Sequence, residues 1–156
     1  GIYNASLKLS KLIEHEINNN EHISPNNIMI SGFSQGGAVA LNTTYRDEFL
    51  KYKVGCVVVF SSFMPRPRYI LNNKERINKI NLNTHCFLGH GMDDGLVKYV
   101  YGLKTGDMLK DRNVPVIFNS YDGVGHQATE EMLSDASAFL RKQIKTFGID
   151  DNISIK

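Results

Sequence analysis

At residues 32–37 the chain reads Gly32-Phe33-Ser34-Gln35-Gly36-Gly37, directly after the apolar run Ile28 to Ser31 and directly before a helical pattern. A chain that leaves a strand and enters a helix within one serine must cross its own backbone closely. Cβ atoms at Gly32 and Gly36 are expected to collide at that crossing, with Gly37 widening the clearance. The turn holds Ser34 in a strained conformation and exposes its hydroxyl at the first turn of the helix. The Gln35 N–H is then aimed where negative charge would develop on a substrate oxygen. A bare Gly-x-Ser-x-Gly string is common by chance, and the strand–turn–helix setting gives it meaning as a nucleophile-bearing elbow.

The rest of the chain alternates two periods. Four short runs rich in Ile, Val and Phe read as strands: Ile28 to Ser31, Val54 to Ser61, Thr84 to Leu88 and Val116 to Ser120. Three of them barely alternate in polarity, as strands buried on both faces of a parallel sheet do. A first helix is expected from Ile2 to Asn19, with Ile2, Leu9, Leu12, Ile13 and Ile17 on one stripe. Further helices are expected over Gln35 to Leu50, Tyr69 to Lys79, Tyr99 to Arg112 and Glu130 to Phe147. The last has Thr129 as its cap, acidic residues in its first turn, and Gly148 as its stop. Met132, Leu133, Ala136, Phe139, Leu140, Ile144 and Phe147 form its apolar stripe. The order implies one α/β domain over 1–149 with right-handed crossovers, and 150–156 as a frayed tail. Chemistry in such a sheet sits at the C-terminal ends of the strands.

Charge and composition exclude several classes. With 18 Lys+Arg against 16 Asp+Glu the net charge is +2, which makes no case for a nucleic-acid partner. The longest apolar run, Val57 to Phe60, is too short to span a bilayer, and no secretory signal opens the chain. No His-Glu-x-x-His, Cys-x-x-Cys or paired acidic motif suggests a metal, and no cofactor motif is present. Gly36-Gly37 lacks the lysine or second glycine fingerprint that a nucleotide site would need. Cys56 and Cys86 fall inside strand-like runs; one disulfide between them is an alternative, but buried free thiols fit better and suit a reducing, cytoplasmic setting. Asn-x-Ser/Thr triplets at Asn4, Asn42 and Asn152 are read as chance matches in an Asn-rich chain.

A serine nucleophile needs a base, and the base needs an orienting acid. The third apolar run leads into Leu88-Gly89-His90-Gly91-Met92-Asp93-Asp94-Gly95-Leu96-Val97, and the fourth into Tyr121-Asp122-Gly123-Val124-Gly125-His126. Ser34, Asp94 and His126 therefore follow three different strands in the order nucleophile, acid, base. Among the other histidines, His15 and His22 read as solvated and His85 as a packed core residue. His90 reads as structural, holding its loop by a hydrogen bond. Asp93 competes with Asp94 for the acid, and Asp122 less strongly.

These residues resemble the acyl-protein thioesterases within the phospholipase/carboxylesterase family of α/β-hydrolases. The likeness runs along nearly the whole chain. It includes Ser24-Pro25-Asn26-Asn27-Ile28 before the elbow, Gly32-Phe33-Ser34-Gln35-Gly36-Gly37-Ala38, Ser61-Ser62-Phe63-Met64-Pro65, His90-Gly91 with Asp94 and Val97, and Tyr121-Asp122-Gly123 ahead of His126. The resemblance implies the C-terminal part of an α/β-hydrolase fold, a mostly parallel sheet with flanking helices. It implies hydrolysis of acyl thioesters or carboxylic esters on an acylated protein or a lipid ester, through Ser34, Asp94 and His126. Gln35 would be one oxyanion donor, and Phe63 would line the acyl-binding side.

The sequence also departs from the family pattern. Gly95 stands where Pro usually follows the acid, and Asp93 adds a second carboxylate to the loop. The family's second oxyanion donor comes from an N-terminal His-Gly-x-Gly loop, and nothing before Ser34 has that character. The expectation is a chain without the family's N-terminal strands, one donor short, with turnover lower by about 10²–10³. Its strand Ile28 to Ser31 would be an apolar edge able to pair with a second copy or another segment. Two alternatives stand beside the thioesterase reading. One is a small-ester carboxylesterase or lysophospholipase with the same triad. The other is a non-catalytic module that binds an acylated ligand or a partner chain.

Overall fold

A computed structural model of the chain describes residues 1–146. Its long elements are α1 (Ile2–Asn19), β1 (Met29–Phe33), α2 (Gln35–Tyr45), β2 (Cys56–Phe60), α3 (Arg68–Leu71), β3 (His85–Gly91), α4 (Tyr99–Lys110), β4 (Val116–Tyr121) and α5 (Glu130–Thr146). The expected stop at Gly148 and tail at 150–156 lie outside the described residues. Among those residues the strands form one parallel sheet in the order β1-β2-β3-β4.

Strand alternation divides the core into two layers. Val57 and Val59 of β2, with Cys86 and Leu88 of β3, join Ile13, Ala40, Leu41, Met108 and Leu109, so α1, α2 and α4 cover one face. Cys56, Val58, Phe60 and Phe87 turn the other way and pack on Met132, Ala136 and Phe139 of α5. β2 is buried along its whole length, as a strand with a neighbour on each side and helices on both faces must be. Each of its valines contributes up to about 1.5–3 kcal/mol through burial. β1 is paired on one side only among the described residues, and its Met29 and Phe33 are exposed. α2 is tied to α1 by Asn42 Nδ2, which donates to the buried Ser6 Oγ at 2.9 Å.

Two helices differ from expectation. The helix after the elbow ends at Tyr45, five residues early. Arg46 turns to extended backbone, bridges Ile77 and buries its guanidinium between Glu48, at 2.6 Å, and the Tyr69 ring, at 3.8 Å. The expected helix over residues 69–79 is a four-residue turn followed by 3-10 turns at Lys74–Arg76 and Lys79–Asn81. Asn73 Oδ1 accepts from Glu75 N–H, and Asn78 Oδ1 from Ile80 N–H, and these local bonds displace the helical ladder. Smaller departures fall on the stripes. Leu12 of α1, and Leu133 and Ile144 of α5, face solvent, while Gln143 is buried. No described helix is long and apolar enough to cross a membrane.

Candidate active site

The elbow is built by a close crossing of β1 and α2. A Cβ on Gly32 would lie 2.4 Å from the Gly36 carbonyl carbon, so a side chain there is incompatible with the turn. The expected collision at Gly36 is not found, since a Cβ there meets nothing within 4 Å. The second tight position is Gly37, whose Cβ would fall 2.6 Å from Ser62 Oγ. Gly37 faces the loop after β2, whereas Gly36 faces away from it. Ser34 sits at the tip with φ 52° and ψ −121°, a strained conformation for a residue with a side chain. Three hydrogen bonds hold it there. Its N–H donates to Phe60 O at 2.9 Å, and its carbonyl accepts from Ala38 N–H at 3.1 Å and from Ser62 Oγ at 2.8 Å.

The acid loop follows β3. Asp94 is buried, and its Oδ1 accepts from the N–H groups of Leu96 and Val97 at 2.9 and 2.8 Å. Its Oδ2 accepts from His126 Nδ1 at 2.8 Å. Burial pushes the Asp94 carboxyl up, but the bonds from His126, Val97 and Leu96 together outweigh it and hold the group below the ordinary carboxylate value. Asp93 and Asp122 both face solvent, so of the three candidate acids Asp94 is the one in contact with His126.

The two loops are fastened to each other by backbone. Met92 N–H donates to Tyr121 O at 2.8 Å and Asp93 N–H to Val124 O at 3.0 Å. Gly91 permits this approach, because a Cβ there would lie 2.1 Å from Val124 O. α5 begins just past His126, where Thr129 Oγ1 accepts from Met132 N–H at 3.3 Å. Asp135 then ties α5 back to β4 through Tyr121 Oη at 2.7 Å and Asn119 Nδ2 at 2.9 Å.

His126 is mostly buried, and with Nδ1 engaged by Asp94 its Nε2 is left for a second partner. The Phe33 ring lies against it at 4.8 Å between centroids, so the elbow reaches His126 through the residue before Ser34. Among the described residues Ser34 Oγ makes no hydrogen bond to His126. The structure thus joins Asp94 to His126 directly and places Ser34 in the turn after β1.

The remaining histidines divide cleanly. His15 and His22 are exposed. His90 is buried and its Nε2 lies 2.8 Å from Val97 O and 3.4 Å from Asp94 Oδ2, which closes the acid loop. His85 corrects the expectation of a core residue: it begins β3, at the end remote from the site, and is exposed.

Phe63 lines a 760 Å³ groove between the loop after β2, the acid loop and α4, together with Met64, Leu96, Val97, Tyr101 and Met108. Met64 N–H donates to Thr105 Oγ1 at 2.8 Å and pins this loop to α4. Three contributors were not legible from sequence. Ser62 bonds the elbow from 28 positions away. Phe33 packs on His126. Gly102 reads as an ordinary helical glycine, yet a Cβ there would lie 2.2 Å from His90 Nδ1.

Residues 1–144 match the sequence model of the family described as Phospholipase/Carboxylesterase. Acyl-protein thioesterase 1 of Debaryomyces hansenii is 37% identical over 146 residues, covering 93% of this chain and 60% of that protein. Acyl-protein thioesterase 1 of Candida albicans is 34% identical over 131 residues, covering 83% of this chain and 55% of its own. The chain therefore spans little more than half the length of these curated relatives. Among solved structures, Arabidopsis thaliana SOBER1 superposes with a TM-score of 0.81 at 25% identity, covering 92% of this chain and 64% of that one. Zea mays acyl-protein thioesterase 2, at 22% identity and a TM-score of 0.72, shares the fold.

Proposed function

The chain belongs to the phospholipase/carboxylesterase family of α/β-hydrolases, and from that premise we propose that it carries the triad of a serine hydrolase that cleaves acyl thioesters or esters. The observation that carries the reading is the 2.8 Å bond from His126 Nδ1 to the buried Asp94, formed beside an elbow that strains Ser34. His126 Nε2 takes the proton from Ser34 Oγ as that oxygen attacks the acyl carbonyl carbon. Asp94 fixes the tautomer that leaves Nε2 able to accept, and it stabilises the imidazolium that follows. The Gln35 N–H, free of an intrahelical partner at the start of α2, donates to the oxyanion. The imidazolium then protonates the departing thiolate or alkoxide as the carbon–sulfur or carbon–oxygen bond breaks. An acyl-Ser34 ester remains. Water, deprotonated by His126, adds to that ester, and its collapse releases the carboxylic acid and restores the Ser34 hydroxyl.

The groove beside Phe63 supports a long acyl chain as the substrate's apolar part. Its volume is in the range of ligand pockets, and the apolar part of its lining, Phe63, Met64, Leu96, Val97, Tyr101 and Met108, offers an alkyl chain the burial it lacks in water, with Arg66, Lys104, Asp107 and Asp111 also on its walls. The names of the curated relatives support a protein thioester as the bond cleaved. Two buried free thiols suit a reducing, cytoplasmic location. The test compares hydrolysis of a palmitoylated cysteine peptide with that of acetyl and octanoyl p-nitrophenyl esters, with Ser34→Ala as the control. Higher kcat/KM on the palmitoyl thioester supports the reading. Preference for the acetyl ester would assign a small-ester carboxylesterase instead.

A further inference from the structure

Ser34 and Gln35 share one peptide plane, and that plane is held from an unexpected direction. In a trans peptide the carbonyl oxygen and the following N–H point oppositely, so fixing one fixes the other. The Ser34 carbonyl accepts two hydrogen bonds. One, from Ala38 N–H at 3.1 Å, is the ordinary first bond of a helix. The other comes from Ser62 Oγ at 2.8 Å, across from the loop that follows β2.

Because Ser34 is held at φ 52° and ψ −121°, rotation of this peptide plane is the direct way for the elbow to shed strain. Such a rotation would swing the Gln35 N–H away. Ser62 is built to prevent it. It is 2% exposed, and the missing side chain at Gly37 lets its hydroxyl approach α2. The preceding residue, Ser61, has φ 47° and an N–H that donates to Gly89 O at 2.9 Å, so the loop leaves β2 on a fixed course.

We infer that Ser62 is a positioning residue for the oxyanion donor: its hydroxyl clamps the Ser34 carbonyl and thereby aims the Gln35 N–H. The inference rests on the hydrolase reading for what that N–H does, and on geometry alone for how it is held. Ser62 acts through the peptide and does not touch the reacting atoms. The loop that carries it also carries Phe63, so the groove wall and the alignment of the oxyanion donor are set by adjacent residues.

The test is Ser62→Ala in the whole chain, with Ser62→Cys as a weaker donor of similar shape. Loss of one neutral hydrogen bond is expected to lower kcat roughly 2- to 12-fold with KM unchanged. The Gln35 amide should move in the ¹⁵N–¹H spectrum and its order parameter should fall, with Ser62→Cys in between. A Gln35 amide that keeps its wild-type shift and order parameter in Ser62→Ala overturns the inference. So does a moved amide with an unchanged kcat. If Ser34→Ala retains activity, the hydrolase reading is what fails, and the Gln35 amide still decides how the plane is held.

Discussion

Asp94 Oδ2 accepts from His126 Nδ1 at 2.8 Å while Asp94 Oδ1 accepts from two backbone N–H groups of its own loop. One carboxylate therefore shapes the loop with one oxygen and holds the His126 ring with the other. Asp94→Asn keeps an acceptor for Leu96 and Val97 but presents an N–H₂ to His126 Nδ1. That forces the imidazole proton onto Nε2, where it cannot take a proton from Ser34. The variant should stay folded with a modestly lowered melting temperature and lose about 10⁴-fold in kcat, with KM little changed. Steady-state kinetics beside a thermal melt separates the two effects.

The same carboxylate should leave a signature in acid. Its folded-state value lies below 3.8, the ordinary one, so its ionised form stabilises the fold fully above that value. That stabilisation disappears as pH falls through the folded-state value. Urea midpoints at about pH 7 and about pH 3 should show wild type losing more stability than Asp94→Asn. Equal losses would mean that the bonds to His126, Leu96 and Val97 do not favour the charged form.

The elbow glycines should behave unequally. Gly32→Ala puts a methyl group 2.4 Å from backbone that cannot yield, and should cost about 3 kcal/mol or prevent folding. Gly36→Ala meets open space at the start of a helix and should be neutral or stabilising by about 0.5–1 kcal/mol. Denaturant titration of both variants gives the comparison directly.

The elbow also shows what a sequence can and cannot carry. That a glycine must stand beside the nucleophile follows from the strand-to-helix turn, which is local. Whether residue 36 or 37 faces a neighbour depends on Ser62, and nothing in the local sequence places that loop. The four strands were legible to within a few residues because runs such as Val57-Val58-Val59-Phe60 suit burial on both faces. α1 was legible from its spacing of Ile and Leu. The segment 69–79 was not, because the Asn73 and Asn78 side chains take the N–H groups a helix would need. His85 misled for a positional reason: a histidine in a strand reads as packed, but this one opens β3 at the exposed end of the sheet. At the site, loop order alone left Asp93 beside Asp94. The structure separates them, with one on solvent and the other on His126.

The two thiols should be inert in the native protein. Burial pushes Cys56 up to about 11 and Cys86 up to about 12, so both are protonated at neutral pH. They also face opposite layers of the core, because β2 and β3 pair Cys56 with His85 and Cys86 with Val57. An aromatic disulfide reagent at about pH 8 should titrate no thiol in the folded protein and both in denaturant. A native mass lower by two hydrogens would contradict this arrangement.

Labelling with a fluorophosphonate tests the central claim most directly, since only an activated serine displaces its fluoride. Intact-mass analysis followed by peptide mapping should find a single adduct on Ser34, absent from Ser34→Ala and greatly slowed in His126→Ala. An adduct that persists in Ser34→Ala, or that maps to another serine, would contradict the assignment of Ser34 as the nucleophile.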